Sequence, residues 1–126
     1  MNEIIAIIRP KKVTATKEAL ESIGFPSMTA ISVLGRGKQR GIAAELGIDI
    51  RPEVIERGKL AGRKYMEYIP KRLLSIVACE EDTDIIVKTI IGVNQTGQIG
   101  DGKIFVYPIE DAIRVRTDEQ GKKAIK

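Results

Sequence analysis

Apolar positions along this chain follow two rhythms that alternate. Ile4-Ile5-Ala6-Ile7-Ile8 is a short β-branched run, which predicts a buried strand, and Pro10 ends it. Residues 13–23 change to helical spacing. There Ala19, Leu20 and Ile23 share a face with Val13 or Thr16, and Gly24 stands where a helix C-cap is expected. Met28 to Val33 alternates and predicts a second strand, with Met28, Ala30, Ile31 and Val33 supplying apolar contacts. Leu73 to Cys79 predicts a third. Glu80, Glu81, Asp82 and Asp84 then cluster where a helix begins, which suits the positive end of its dipole. Ile86, Ile90 and Val93 form the stripe of that helix, and Gly97 is expected to close it. Ile104 to Tyr107 is a fourth strand stopped by Pro108, and Ile113-Arg114-Val115-Arg116 alternates as a short extension. The polar tail from Asp118 to Lys126 is expected to be mobile.

The order is strand-helix-strand, an interruption at residues 38–70, then strand-helix-strand. Two split βαβ units of this kind pack as one four-stranded antiparallel sheet with both helices on one face, the α+β ferredoxin-like arrangement. One domain, residues 1–126, is expected. Strands 1 and 3 are apolar on both sides, so the sheet face without helices needs a cover, and self-association supplies one. A span as long as 38–70 without its own rhythm is rare inside a small domain and is usually functional. Pro52 with Glu53, Val54, Ile55 and Glu56 can start a helical turn or two within it. Leu60, Tyr65, Met66 and Tyr68 have no evident core of their own there; they pack within the arm or against an oligomer, or they form a partner surface.

Composition narrows the classes. The chain has 126 residues, 43% of them hydrophobic and only 4% aromatic, so its one modest core is aliphatic. No apolar run reaches the length of a membrane span, and the opening residues lack a signal-peptide layout. The single cysteine, Cys79, lies in an apolar run and reads as a buried, inert thiol, which points to a reducing, cytoplasmic setting. Histidine is absent, which removes Ser-His and Cys-His catalysis and imidazole metal sites together. The net charge of +4, from 21 basic and 17 acidic residues, is mild, so the placement of cations matters more than their sum.

Two glycine-rich segments carry the candidate chemistry. Gly35-Arg36-Gly37-Lys38-Gln39 lies at the root of the 38–70 arm, and Gly97-Gln98-Ile99-Gly100-Asp101-Gly102-Lys103 precedes the fourth strand. Glycine lets main-chain amides approach an anion. Lys38 and Lys71 stand at the two ends of the arm, Lys103 follows the second turn, and Arg114 and Arg116 share one face of an extended segment. That set of cations suits a di- or triphosphate. It is neither a Walker A loop nor a dinucleotide fingerprint. Taken alone, the second turn is more simply a helix cap followed by a tight turn. Gln39 offers a carbonyl to a hard metal ion bridging to phosphate, or is a solvated loop residue. Lys71 can pair with a small dicarboxylate, or edge a strand.

In combination these residues resemble a known family. Gly35 to Gly41, Tyr68-Ile69-Pro70-Lys71, the run from Gln95 to Val106 and Ile113-Arg114-Val115-Arg116-Thr117 closely resemble the PII nitrogen-regulatory signal proteins, and Ile7-Ile8-Arg9-Pro10 and Gly24 to Thr29 agree. The resemblance reverses the plainer reading of the glycine turn. It implies a homotrimer with ATP or ADP in each cleft between subunits. By position, Ile7, Thr29, Gly35, Lys38, Gly100, Asp101, Gly102, Lys103, Arg114 and Arg116 would line the nucleotide site. Gln39 would help hold Mg²⁺, which 2-oxoglutarate chelates, and Lys71 would contact that acid. Many relatives carry arginine at Lys38; lysine keeps the charge and loses the fork. The arm corresponds to the family's T-loop and is longer here than in common bacterial members. The tyrosine that accepts a uridylyl group has no clean counterpart, Tyr65 being nearest with different flanks.

Gly35 to Gln39 and Val93-Asn94-Gln95-Thr96-Gly97 look like the subgroup encoded in nitrogen-fixation clusters of archaea and some anaerobic bacteria. In that subgroup two PII paralogues act together and inhibit dinitrogenase directly, and the long arm resembles the second of the pair. The expected function is therefore a regulator without catalysis, gated by ATP or ADP and 2-oxoglutarate, with dinitrogenase as its target. An ammonium transporter or glutamine synthetase is the alternative target. Nucleic acid is not an expected partner: Phe25, Phe105 and three tyrosines are too few to form a stacking platform. A nucleotide-using enzyme lacks a paired nucleophile and base.

Overall fold

A computed structural model describes residues 1–37 and 68–126. The arm residues 38–67, with Lys38, Gln39, Tyr65 and the expected helical turn at Pro52, lie outside the described residues. Four strands form one antiparallel sheet: β1 (Asn2–Ile8), β2 (Thr29–Gly35), β3 (Ile69–Ala78) and β4 (Lys103–Pro108). Two helices connect them, α1 (Val13–Ser22) and α2 (Glu80–Asn94). The spatial order is β2-β3-β1-β4, so each βαβ unit is split by a strand of the other. This is the expected ferredoxin-like topology.

The register explains the core. Ile4 pairs with Ile76 and Ala6 with Leu74, which puts all four on one sheet face. That face meets Leu20 of α1 and Ile86 and Ile90 of α2. All of these residues are fully or almost fully buried, and burying each Ile or Leu side chain contributes about 1.5–3 kcal/mol.

Helix ends follow local chemistry. Gly24, at φ +94, terminates α1: its amide donates to the Glu21 carbonyl and that of Phe25 to the Leu20 carbonyl. This is the Schellman arrangement, which needs a left-handed residue at that point. Glu80, Glu81 and Asp82 occupy the first turn of α2 as expected. That helix ends at Asn94, before the expected stop at Gly97. Asn94 Nδ2 donates back to the Ile90 carbonyl and across to Thr16 Oγ1, and Gln95 leaves the helix in an extended conformation.

The strand borders also differ from expectation. β3 begins at Ile69, so Ile69 and Pro70 belong to the sheet rather than the arm: Gly35 pairs with Ile69 and Leu34 with Pro70. Proline is tolerated because β1 has already ended there, at the pair Ile8–Arg72, and β3 has one neighbour. The segment around Arg114 is not an extended strand. It is a hairpin with a single bridge between Ile113 and Gln120, turned at Arg114 by amides of Thr117 and Asp118 that donate to its carbonyl. Asp118, at φ +59, makes that turn possible. The tail beyond it carries a 3-10 turn at Gly121–Ile125, and the Gly121 amide donates to Ala112 and Asp111.

The opposite sheet face carries no helix. Register places Ile5, Ile7, Ile31, Leu73, Phe105 and Tyr107 on it. Ile31, on the edge strand β2, is 51% exposed and Phe105, on the edge strand β4, 49%, so this face presents large apolar side chains without a cover among the described residues.

Candidate functional site

The helix-free face ends, at the root of the arm, in a cleft of about 570 Å³. Ile7, Gly35, Lys71, Gly100, Gly102 and Lys103 line it, with Arg36, Gly37, Ile69, Ile99 and Phe105. β1 delivers Ile7, β2 and the residues after it Gly35, Arg36 and Gly37, β3 Ile69 and Lys71, the loop before β4 Ile99, Gly100 and Gly102, and β4 itself Lys103 and Phe105.

That loop, Gln95 to Gly102, is organised by the Asp101 carboxylate. The carboxylate accepts from the Thr96 amide at 2.7 Å, the Gly97 amide at 2.9 Å, the Thr96 hydroxyl and Arg9 Nη1 at 2.8 Å. Burial opposes its charge, but the hydrogen bonds from Thr96, Arg9 and the two amides outweigh it and hold the carboxyl far below the usual range. Asp101 therefore stays ionised at neutral pH. Its charge is spent inside the loop and does not face the cleft. The resemblance implies that Asp101 lines a nucleotide site; the described lining of this cleft includes its neighbours Gly100 and Gly102 and not Asp101.

Two cations pin the loop's carbonyls. Arg9 Nη2 donates to the Ile99 carbonyl at 3.1 Å, and Lys71 Nζ to the Gly100 carbonyl at 2.9 Å. Arg9 and Lys71 are both buried. Gly97, Gly100 and Gly102 all have positive φ, and Gly102 has a second reason to be glycine. A Cβ at Gly102 would lie 2.0 Å from the Ile7 carbonyl oxygen. The loop is thus pressed against the end of β1.

Six of the expected site residues converge: Ile7, Gly35, Lys71, Gly100, Gly102 and Lys103. Thr29 does not. It begins β2, while Gly35 ends it, on the same sheet face. Arg114 and Arg116 do not share a face of an extended segment, because the hairpin turn intervenes. The Arg114 guanidinium bonds to Glu119 at 2.9 Å and to the main-chain oxygens of Lys123 at 3.0 Å and Lys126 at 2.6 Å. Arg116 is exposed in the turn itself. Lys38 and Gln39, with the expected metal ligation, lie outside the described residues. Arg9 was not among the expected site residues. Its signal was a lone arginine after an apolar strand, which nothing local connects to a loop far downstream.

Among the described residues, no group of three or more Asp, Glu, Cys or His side chains is placed to hold a metal ion. The cleft's described side chains are cationic or apolar. They suit a polyanion, and a divalent ion there would be held largely through oxygens that the anion carries. A second groove of about 450 Å³ lies between α2 and β4 and is lined mainly by apolar residues such as Val87, Ile91 and Val106. No described helix is long and apolar enough to cross a membrane.

Comparison with known proteins agrees with this anatomy. The nifHD1-region GlnB-like protein 2 of Methanosarcina barkeri is 56% identical over 126 residues, covering all of both chains. The nifHD-region GlnB-like protein 2 of Methanobacterium ivanovii is 53% identical over 125 residues, covering 99% of each. Both carry the designation of the second paralogue, as the arm suggested. The crystal structure of Arabidopsis thaliana PII bound to citrate superposes with a TM-score of 0.72 at 31% identity, covering 99% of this chain and 89% of that one. The model of the nitrogen regulatory protein P-II family matches residues 1–119, and the chain belongs to that family.

Proposed function

We propose that this protein is a ligand-gated regulator of nitrogen fixation that binds ATP or ADP in the cleft at the root of the arm. The observation that carries the reading is the convergence of Lys71, Lys103 and the Gly100–Gly102 loop on one cleft large enough for a nucleotide. Lysines and main-chain groups at glycine positions are the chemistry of phosphate recognition. In this reading the bound nucleotide acts as a signal rather than a substrate.

Thr29, Arg114 and Arg116 lie away from the described lining of the cleft, and a homotrimer accounts for this. Association through the helix-free face would cover Ile31 and Phe105 and would bring Thr29, Arg114 and Arg116 of one subunit to the cleft of another. The Arg114 guanidinium would then exchange its main-chain partners near Lys123 and Lys126 for phosphate oxygens. Hydrogen bonds to charged groups contribute about 1.5–3 kcal/mol. Arg114→Ala or Arg116→Ala should therefore weaken ATP binding by about tenfold or more with the assembly still folded. Unchanged calorimetric titrations in both variants would remove these residues from the site.

The second signal is 2-oxoglutarate, chelating a Mg²⁺ that Gln39 and the nucleotide phosphates hold, with Lys71 as its cationic contact. The acid should then bind well only when MgATP is present, and it must tighten ATP in turn by the same factor. Gln39→Ala should lose the acid and mostly keep ATP. Tight binding of 2-oxoglutarate to nucleotide-free protein would contradict the scheme. The output is inhibition of dinitrogenase in the cytoplasm, exerted together with the first paralogue and relieved by 2-oxoglutarate. Co-purification from cells moved between ammonium starvation and excess tests this directly, since recovery of an ammonium transporter or glutamine synthetase instead would redirect the target.

A further inference from the structure

We propose that Arg9 is the positioning residue of the anion-binding loop, a clamp that fixes the Gly97–Gly102 segment in the shape that receives phosphate. The inference rests on the nucleotide reading of the cleft and adds a residue outside the cleft's described lining.

Arg9 follows directly on β1 and is held by the sheet on one side and by Pro10 on the other. Its backbone is extended, at φ −66 and ψ 140, which sends the chain into the 3-10 turn at Pro10–Lys12. The side chain is buried, with 6% exposure for the whole residue. A buried guanidinium needs paired hydrogen bonds, and this one spends two nitrogens on two positions of the same loop. Nη1 takes the Asp101 carboxylate and Nη2 the Ile99 carbonyl. Asp101 in turn gathers the amides of Thr96 and Gly97. A single cation thus ties the loop's beginning, middle and end to the end of β1.

Gly102 closes the same contact, lying against the Ile7 carbonyl two residues before Arg9. The planar fork of arginine matches this task because its donors reach two acceptors at a fixed angle. Lysine would supply the charge from a single nitrogen, without the fixed pair of nitrogens that spans Asp101 and Ile99. Lys71 of β3 supports the loop from the cleft side at Gly100, so Arg9, just past the end of β1, and Lys71 hold adjacent carbonyls.

The test uses the full chain, with Arg9→Met, Arg9→Lys, Asp101→Asn and the double variant Arg9→Met/Asp101→Asn. ATP affinity is read by calorimetry and the exchange of the Thr96–Gly102 amides by NMR or mass spectrometry. Arg9→Met should raise the ATP dissociation constant at least tenfold and speed exchange in the loop, with exchange in β1 and β3 unchanged. Arg9→Lys should recover part of both. The double variant should lose less than the product of the single losses, because both act through one contact. Equal ATP affinity in wild type and Arg9→Met, with unchanged loop exchange, overturns the proposal. No ATP binding by the wild type overturns the nucleotide reading instead, and loop exchange then still decides whether Arg9 holds the loop. Should Arg9→Met fail to fold, Arg9→Lys and Asp101→Asn carry the same comparison, and full ATP affinity in both overturns the clamp.

Discussion

Gly102→Ala should abolish tight nucleotide binding and lower the stability of the whole domain. Two physical effects coincide at this position. The backbone sits at φ +113, where an L side chain is strained by about 1–3 kcal/mol. The new methyl group would also lie 2.0 Å from the Ile7 carbonyl oxygen, so either β1 or the loop must shift. Either shift spoils the cleft, since Ile7 and Gly102 both line it. An ATP affinity reduced by about a hundredfold or more is expected, equivalent to about 2.7 kcal/mol. Gly97→Ala is the internal control. Its φ of +84 carries the same kind of strain, but nothing lies within 4 Å of its missing Cβ. It should cost about 1 kcal/mol of stability and affect ATP far less. Thermal unfolding and ATP titration of both variants separate strain from collision. Equal losses in the two would mean that contact with β1 is not what makes Gly102 necessary.

Replacing residues 43–66 with a short Gly-Ser linker should spare the fold and ATP binding and remove inhibition of dinitrogenase. The fold should tolerate the change because the ladder on both sides of the arm is set without it: Gly35 pairs with Ile69 and Leu34 with Pro70. Loop-closure free energy changes slowly with length, by about 0.6 kcal/mol per doubling. The cleft residues Gly35 and Lys71 stand outside the replaced segment. The proposed function would place the target contact on the arm, whose sequence mixes Leu60, Tyr65 and Met66 with charged residues. Inhibition measured with the first paralogue supplied decides the matter. If the shortened protein still inhibits and 2-oxoglutarate still relieves it, the contact surface belongs to the body or to the paralogue.

What sequence alone determined here is local in origin. Element types follow from the spacing of apolar residues, because a strand repeats every second residue and a helix every third or fourth. The unbroken β-branched run Ile4 to Ile8 declared a buried strand by its composition and short length, and the spacing of Ile86 and Ile90 a helix, without knowledge of their neighbours. Gly24 declared a helix end, because few other residues adopt its conformation. The glycine turn before β4 and the lysines at the arm's ends pointed to an anion for the same reason, through what each residue type can do. Tertiary structure alone decided which residues meet. Arg9 and Asp101 are 92 positions apart, and only the placement of β1 beside β4 joins them. That contact engages the Asp101 carboxylate inside the loop, whereas the family resemblance had placed it by position in the nucleotide site. Arg114 and Arg116 alternate like a strand, yet the single bridge at Ile113 and the left-handed Asp118 curl them into a turn. An isolated pair of alternating residues carries too little pattern to predict that, since an edge segment takes its conformation from the ladder it finds.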